Sequence, residues 1–578
     1  VLAIKVDSGF EQRVAFLMRH LPELAERPVA PISPQSFCNQ LEAHRLKEGR
    51  LSTAAVRAFF LGFLAREPSI EEHKALAYSS RFQSVEGLVS KYLATGEHRR
   101  LLKAGATFRL VETDPQSLYV DLSHTVFYAH LSGIQRVVRS LVQGLVDGQR
   151  PCKFFVFRND DARPSFLTDV EAKKFFSFEK GFGKKAGFLS RILKAVSKIP
   201  FYARRIYREL FHPLFEVTRL ALRVLINPSR WPGDLIEKRM LVMKRWIEER
   251  WVYEPVFEAP NRSPDPSSPL EIEIPFFDSR SQILIPELAI DRARIEFYLS
   301  FKHTHSNASL GLLLYDLIPL LHPEFVTLHE GYLTYLRLFR VIDRVSCISE
   351  AVANQVRSLT QMLGVSDRVL VQAHELAGAL SPTEGAHSSA HANEGPFVLV
   401  VGTVEIRKNS LNVLRAALSL MDQGLQFRMI FAGNPGWMAE RFLHELFKAK
   451  AQGRPVELRL SVPEAELKGL YQNCLFTVFA SHAEGFGLPI VESLRFKKPV
   501  VVSNNGCMRD LALRLGGCVL VEAADFKSIA QGMRTLLSDA AARQLCVDSI
   551  RPTEWPTWSA YADEVFKFVY RAPRLAHS

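Results

Sequence analysis

Two carboxylates eight positions apart, Glu484 and Glu492, bracket the string Gly485-Phe486-Gly487-Leu488-Pro489-Ile490-Val491, directly after an apolar run that ends near Ala480. Pro489 stands where a helix tolerates proline in its first turn, and Gly485 and Gly487 let the backbone approach a ligand closely. The loop should open a helix whose free N–H groups and positive dipole end favour a diphosphate, with the two carboxylates able to bind hydroxyls on either side. A second string, Val401-Gly402-Thr403-Val404-Glu405-Ile406-Arg407-Lys408-Asn409, closes another apolar run. Arg407 and Lys408 are expected to project into a crevice at the carboxyl end of that strand, where cations neutralise the charge growing on a departing diphosphate. A third, Leu131 to Arg139, starts a helix, and Gly133 in its turn lets an acceptor or phosphate near the backbone. In the fourth, Leu314 to Glu324, Asp316 is a candidate acceptor-side base, the alternative being that it only caps or braces its loop. Its neighbour Tyr315 can donate a hydrogen bond and stack its ring but keeps its charge state near neutrality. His322 reads as structural.

The elements that must position these residues follow from apolar periodicity. From Leu118 onward, short apolar runs alternate with amphipathic helices, which predicts parallel sheets covered on both faces. The first sheet is expected to use Leu118 to Leu122, Lys153 to Phe157, Gln282 to Ile285, Gly311 to Tyr315, Arg344 to Ile348 and Val369 to Gln372. After a joint rich in Ser, His, Ala and Gly, Ser381 to Gly395, a second sheet uses Phe397 to Val401, Arg428 to Ala432, Glu457 to Leu460, Leu475 to Phe479, Pro499 to Val502 and Cys518 to Val521. Two doubly wound sheets place a ligand crevice between them, at the carboxyl ends of the strands. Residues 1–108 read instead as a separate helical module, with Val56, Phe59, Phe60, Phe63 and Leu64 at helical spacing before Arg66-Glu67-Pro68. The divisions are therefore 1–108, 116–380, 396–556, and a last helix in 557–572. A basic helical stretch at about 184–252 and the Pro/Ser-rich connector from Asn261 to Pro269 interrupt the first sheet.

At 578 residues, 47% of them hydrophobic and 23% charged, the chain can bury large cores in several domains. The net charge of +12 is concentrated: between residues 184 and 208, Lys184, Lys185, Arg191, Lys194, Lys198, Arg204, Arg205 and Arg208 stand with no acid among them. Arg191, Lys194 and Lys198 share a helix face opposite Phe188, Leu189, Ile192, Leu193, Val196 and Ile199. Such a helix either lies on an anionic leaflet or is a surface helix with a solvated face; no motif supports nucleic-acid binding. The seven cysteines are scattered without a CxxC pair, and the seventeen histidines lack a ligand spacing, so neither a disulfide framework nor a protein-held metal is expected. With no apolar run of spanning length and no basic start before an apolar core, the chain is expected in the cytoplasm, peripheral at the inner membrane if the basic helix meets lipid.

The Glu484 to Glu492 string resembles the E-x7-E motif of retaining GT-B glycosyltransferases of family 4, and Val401 to Asn409 resembles the "VGT-x-E-x-RKN" signature of its bacterial mannosyltransferase-like members. Leu131 to Arg139 resembles that family's "GI-x-RV" loop, Leu314 to Glu324 its "HDLIPL-x-HPE" segment with Tyr315 in place of histidine, Ser346 to Glu350 a strand end, and Trp555 to Ser559 the start of a helix that returns to the first domain. The likeness covers about residues 116 to 572; residues 55–97 also resemble, loosely, a helical repeat appended to bacterial surface-glycan enzymes. It implies two Rossmann-like domains facing a cleft and front-face transfer of a hexose from a nucleotide-sugar, with GDP-mannose the first donor to consider, to a glycan or lipid-linked acceptor in surface polysaccharide or lipopolysaccharide synthesis. By the same likeness Glu484 contacts the transferred sugar, Glu492 the ribose, Arg407 and Lys408 the phosphates, and Gly485, Phe486, Gly487 and Leu488 the donor through their amides, with Gly402 and Gly133 alongside; no cofactor is implied. Alternatives are a GT-B epimerase or phosphorylase, for which neither acid/base groups around the sugar nor a pyridoxal-bearing lysine is evident, and a donor-binding scaffold weakened at Tyr315.

Overall fold

The computed structural model describes residues 6–7, 9–21, 24, 33–93, 107–127, 133–158, 163–176, 271–325, 330–378, 395–551 and 556–571. The basic stretch at 184–252, the connector at 261–269, all but Gly395 of the 381–395 joint, Leu131, Ser132 and Trp555 lie outside them. The elements below belong to one compact unit made of residues 1–175 and 262–578.

The helix Thr53–Leu64 is the axis of the N-terminal module: every residue from Ala55 to Leu64 is buried, and Ser52 caps its first turn. Helices Phe10–His20, Pro34–Glu48, Ile70–Ser79 and Val85–Leu93 surround it. The module does not stop at residue 108. Strand β1, Thr107–Glu112, pairs in parallel with a strand from far along the chain, Glu271–Phe276. Phe108, Leu110, Ile272, Ile274 and Phe276 share a core cluster with Phe59, Phe60 and Phe63. A purely helical reading fails there because the two strands are about 160 residues apart and neither has a local partner.

The first large sheet contains β2 (Leu118–Asp121), β3 (Cys152–Arg158), β4 (Arg163–Phe166), then β5, the Glu271–Phe276 strand already met, which lies outside it, and β6 (Gln282–Ile285), β7 (Ser309–Leu314), β8 (Arg344–Cys347) and β9 (Leu370–Ala373). Its order is β4-β3-β2-β6-β7-β8-β9, parallel except for β4, an antiparallel edge that accommodates Pro164. The second comprises β10 (Phe397–Val401), β11 (Arg428–Ala432), β12 (Val456–Arg459), β13 (Thr477–Phe479), β14 (Val500–Ser503) and β15 (Cys518–Val521), all parallel, in the order β12-β11-β10-β13-β14-β15. That is the doubly wound arrangement, with strand order reversing between β10 and β13; the first sheet reverses between β2 and β6.

The final helix, Trp558–Val569, leaves the second domain and buries Tyr561, Val565, Phe566 and Val569 against the first. It packs on the helix Gly133–Asp147 so closely that a Cβ on Gly144 would meet the Trp558 carbonyl. Its end is tied down by Arg571 N–H donating to Gln282 Oε1 (2.6 Å) and Gln282 Nε2 donating to the Arg571 carbonyl (2.8 Å).

Candidate active site

Both strands at the reversal of the second sheet deliver chemistry. At the end of β10, Gly402 has φ +136°, and a single 3-10 turn, Ile406–Lys408, presents the basic pair. Asn409, at φ +60°, holds that turn in place by donating Nδ2 to the carbonyls of Ala480 (2.9 Å) and Ala523 (2.6 Å). The backbone N–H of His482 donates to the Arg407 carbonyl at 2.8 Å, so the two strand ends are stitched together. Beyond β13 the chain turns through Gly487 (φ +115°) into the helix Leu488–Arg495, with Pro489 in its first turn as expected.

Arg407 and Lys408 converge on Glu484. Arg407 Nη1 lies 2.8 Å from its Oε2 and Lys408 Nζ 2.5 Å from its Oε1, while Arg407 Nη2 also donates to Glu405 at 2.7 Å. The cations thus do not stand free in the crevice, as the sequence suggested; they already have a counter-ion, and it is the residue expected to meet the sugar. Burial alone would push the Glu484 carboxyl up, but Arg407 and Lys408 outweigh it and hold it at about 2. Burial would lower Arg407, yet Glu484 and Glu405 raise it above the ordinary guanidinium value.

Asp316, at the end of β7, belongs to the same charge cluster from the other domain. Burial raises its pKa, opposed by Arg407 and by the Ile318 N–H that donates to Oδ1 at 3.0 Å, so it braces its loop as well as facing the basic pair. Tyr315 departs from the expectation of a donor-side hydrogen bond. Its hydroxyl donates to the Pro286 carbonyl at 2.8 Å, and its side chain belongs to a core cluster that both α/β domains share. Gly485 explains itself sterically: a Cβ there would run into the Tyr315 carbonyl oxygen, and Ser349 Oγ donates to the Gly485 carbonyl at 2.6 Å. The Phe486 side chain is core; Leu488 is partly buried at the helix start. Glu492 is 1% exposed, accepting from Tyr471 Oη at 3.0 Å and from Arg136 Nη2 at 3.1 Å. Gly133 is exposed in the first turn of the helix that carries Arg136. The rings of Phe325 and His482 stack across the domains at 4.8 Å and 7°.

Arg136, Ser349, Asn409 and Tyr471 are the site's residues that sequence reasoning does not single out. Arg136 and Ser349 sit inside motif strings, but their partners lie 356 and 136 residues away. A fifth, Glu287, accounts for the first sheet. It accepts from the N–H groups of His124 and Thr125, both at 2.6 Å, and pairs with Arg294, which also binds Asp121 at 2.6 Å. A protein carboxylate thus fills the helix-start position where a doubly wound sheet would receive an anion. Among the described residues, no group of His, Cys, Asp or Glu is arranged to hold a metal ion, and no helix is long and apolar enough to cross a membrane.

Two Rossmann-like domains with facing strand ends, and paired basic and acidic groups where they meet, define the GT-B architecture. Residues 384–551, which contain the second α/β domain, match the family model described as glycosyl transferases group 1. The chain is 25% identical over 213 residues to the serotype-specific mannosyltransferase WbdA of Escherichia coli, covering 34% of this chain and 26% of that one. It is 34% identical over 109 residues to the O-antigen chain mannosyltransferase B of Escherichia coli, covering 19% and 28%. The chain thus spans about a quarter of the length of the curated relatives it matches. Among solved structures, that of HepE from Anabaena in complex with UDP is 13% identical with a TM-score of 0.42, covering 78% of this chain and 95% of that one.

Proposed function

We propose that the chain is a glycosyltransferase that moves a hexose from a nucleotide-sugar to a glycan or lipid-linked acceptor, with retention, in bacterial surface polysaccharide synthesis. The observation that carries this reading is the convergence of Arg407, Lys408 and Glu484 from the second domain with Asp316 from the first. The donor's diphosphate would take the place beside Arg407 and Lys408 and the amides of residues 485–488, freeing Glu484 for the sugar hydroxyls while Glu492 accepts from the ribose. As the glycosidic bond breaks, negative charge grows on the leaving diphosphate, and the preorganised cations stabilise it without protein covalent chemistry. Asp316 stands on the acceptor side as the group that receives the attacking hydroxyl's proton; its raised pKa suits it to that task. GDP-mannose is the first donor to test, in keeping with the mannosyltransferases among the relatives.

A panel of GDP- and UDP-sugars tested by thermal shift should raise Tm for one nucleotide, since binding to the folded state alone stabilises it. Labelled-sugar transfer with that donor should then fall at least 100-fold in Glu484→Gln; unchanged transfer would overturn the site. The engagement of Tyr315 with Pro286 favours one other reading, a donor-binding scaffold, which would show the thermal shift without transfer or donor hydrolysis. Because arginine and lysine supply the positive charge here, EDTA should leave the rate unchanged, and a loss restored by added Mg²⁺ would contradict that assignment.

A further inference from the structure

Glu492 lies in the second domain, but the guanidinium bonded to it comes from the first. Arg136 rises from the second turn of the helix Gly133–Asp147, is 28% exposed, and places Nη2 3.1 Å from Glu492 Oε1. The other carboxylate oxygen accepts from Tyr471 Oη, whose ring stacks on Phe496 at 5.4 Å and 7°. The remaining charged groups that act on Glu492 are Glu464, on the helix that carries Tyr471, and Arg495, on its own helix. Burial drives the Glu492 carboxyl above its ordinary value, with Arg136 the largest opposing influence.

The helix carrying Arg136 cannot follow the second domain freely. Arg150, just beyond its end, pairs with Asp563 of the final helix, and Arg139 donates to the carbonyls of Phe175 (2.6 Å) and Thr125 (3.2 Å) within the first domain. Contact between Arg136 and Glu492 is therefore a property of the two domains meeting, as are Ser349 on Gly485 and the Arg495 guanidinium on the Gly378 carbonyl at 2.5 Å. With Arg136 removed and the domains still together, Glu492 would be a buried acid bonded only to the Tyr471 phenol, and a neutral carboxyl is the poorer acceptor for a diol.

On the reading proposed above, we propose that Arg136 is a positioning residue that couples domain closure to donor binding: it reaches Glu492 only when the two α/β domains meet, and so presents that carboxylate as an ionised acceptor to the ribose hydroxyls of a nucleoside diphosphate. The role belongs to a side chain that touches the carboxylate and not the reacting sugar.

The test is GDP and UDP binding by calorimetry from pH 5.5 to 8.5, with wild type, Arg136→Ala, Arg136→Lys, Glu492→Gln and the Arg136→Ala/Glu492→Gln pair. Arg136→Ala should weaken binding at least tenfold at pH 6, with the deficit shrinking toward pH 8.5 as Glu492 ionises unaided. Arg136→Lys should restore most of the affinity, and in the Glu492→Gln background Arg136→Ala should cost nothing further. A loss that is the same at every pH and is not restored by lysine marks a purely structural contact and overturns the proposal. Wild-type affinity in Arg136→Ala throughout the range overturns it too, while leaving the glycosyltransferase reading intact. If Arg136→Ala does not fold, a lysine variant with wild-type pH dependence supports the proposal and one with a pH-independent loss refutes it. Wild type that binds neither GDP nor UDP removes both readings together.

Discussion

Glu484 shows how a single residue's ionisation is bound up with its neighbours. Its carboxylate is ionised in the folded state down to about pH 2, whereas an unpaired one titrates near 4.5, so its contribution to stability is present above pH 4.5 and fades as pH falls toward 2. Glu484→Gln leaves two part-buried cations without that partner, and should lower Tm by several degrees as well as abolish transfer. His124 behaves as a base in the same direction. Burial first, then Arg294, push its ring from 6.5 to about 4, so the folded protein excludes a proton that the unfolded chain binds. Its stabilising effect is present above pH 6.5 and lost as pH drops through 4, at most about 3 kcal/mol in all. Tm followed from pH 7 to 4.5 should fall less in His124→Gln than in wild type. Much of this scale is legible beforehand: Arg407, Lys408, Glu484 and Asp316 sit in short strings whose residue types state their chemistry. Tyr315 could not be read in that way, because whether its hydroxyl meets a ligand or the Pro286 carbonyl depends on the packing of β6 beside β7.

Among the elements, β6, β10, β11 and β15 fall where the apolar runs predict; the inner strands β6 and β11 are buried almost throughout, which needs an unbroken run, whereas β15 is an edge strand that leaves Leu520 exposed. The edge strand β4 and the pair β1–β5 have no such signature: β4 is four residues with a proline, and the other two find each other only in the folded chain. Close approach between elements leaves glycines instead. Gly485→Ala would press a methyl group on the Tyr315 backbone, and since neither backbone can yield cheaply, the domains should part. Transfer should fall at least tenfold in kcat, and the Kd for the diphosphate should rise at pH 6, where Glu492 has lost Arg136, and return toward the wild-type value at pH 8.5; a Kd that is unchanged at pH 6 would argue against a closure effect. Gly144→Val would wedge the helix Gly133–Asp147 from the final helix, where the Trp558 carbonyl and Ala562 already fill the space. Overpacking there should cost about 1–3 kcal/mol in thermal unfolding.

For the molecule as a whole, the N-terminal module is built into the scaffold and is not a detachable appendage. Arg163 of β4 donates to the carbonyls of Ala65 (3.0 Å) and Leu64 (3.2 Å), Ser300 Oγ donates to the Pro68 carbonyl at 2.7 Å, and Arg57 lies over the Phe276 ring at 4.2 Å. A chain begun at residue 116 would keep β5 but lose every other member of the core cluster that holds Ile272, Ile274 and Phe276. Such a truncation should be recovered mainly as aggregate, and recovery as a soluble, nucleotide-binding protein would show the module to be dispensable. The pairing of β1 with β5 also sets a schedule for synthesis. The ribosome must add about 160 residues after β1 before its partner emerges, roughly 10–30 seconds at ordinary elongation rates, and until then the module's aromatic interior lacks one wall. Nascent chains of this protein should therefore occupy a chaperone such as trigger factor or Hsp70 for that interval, and slowing translation across the intervening residues should lower the yield of folded protein.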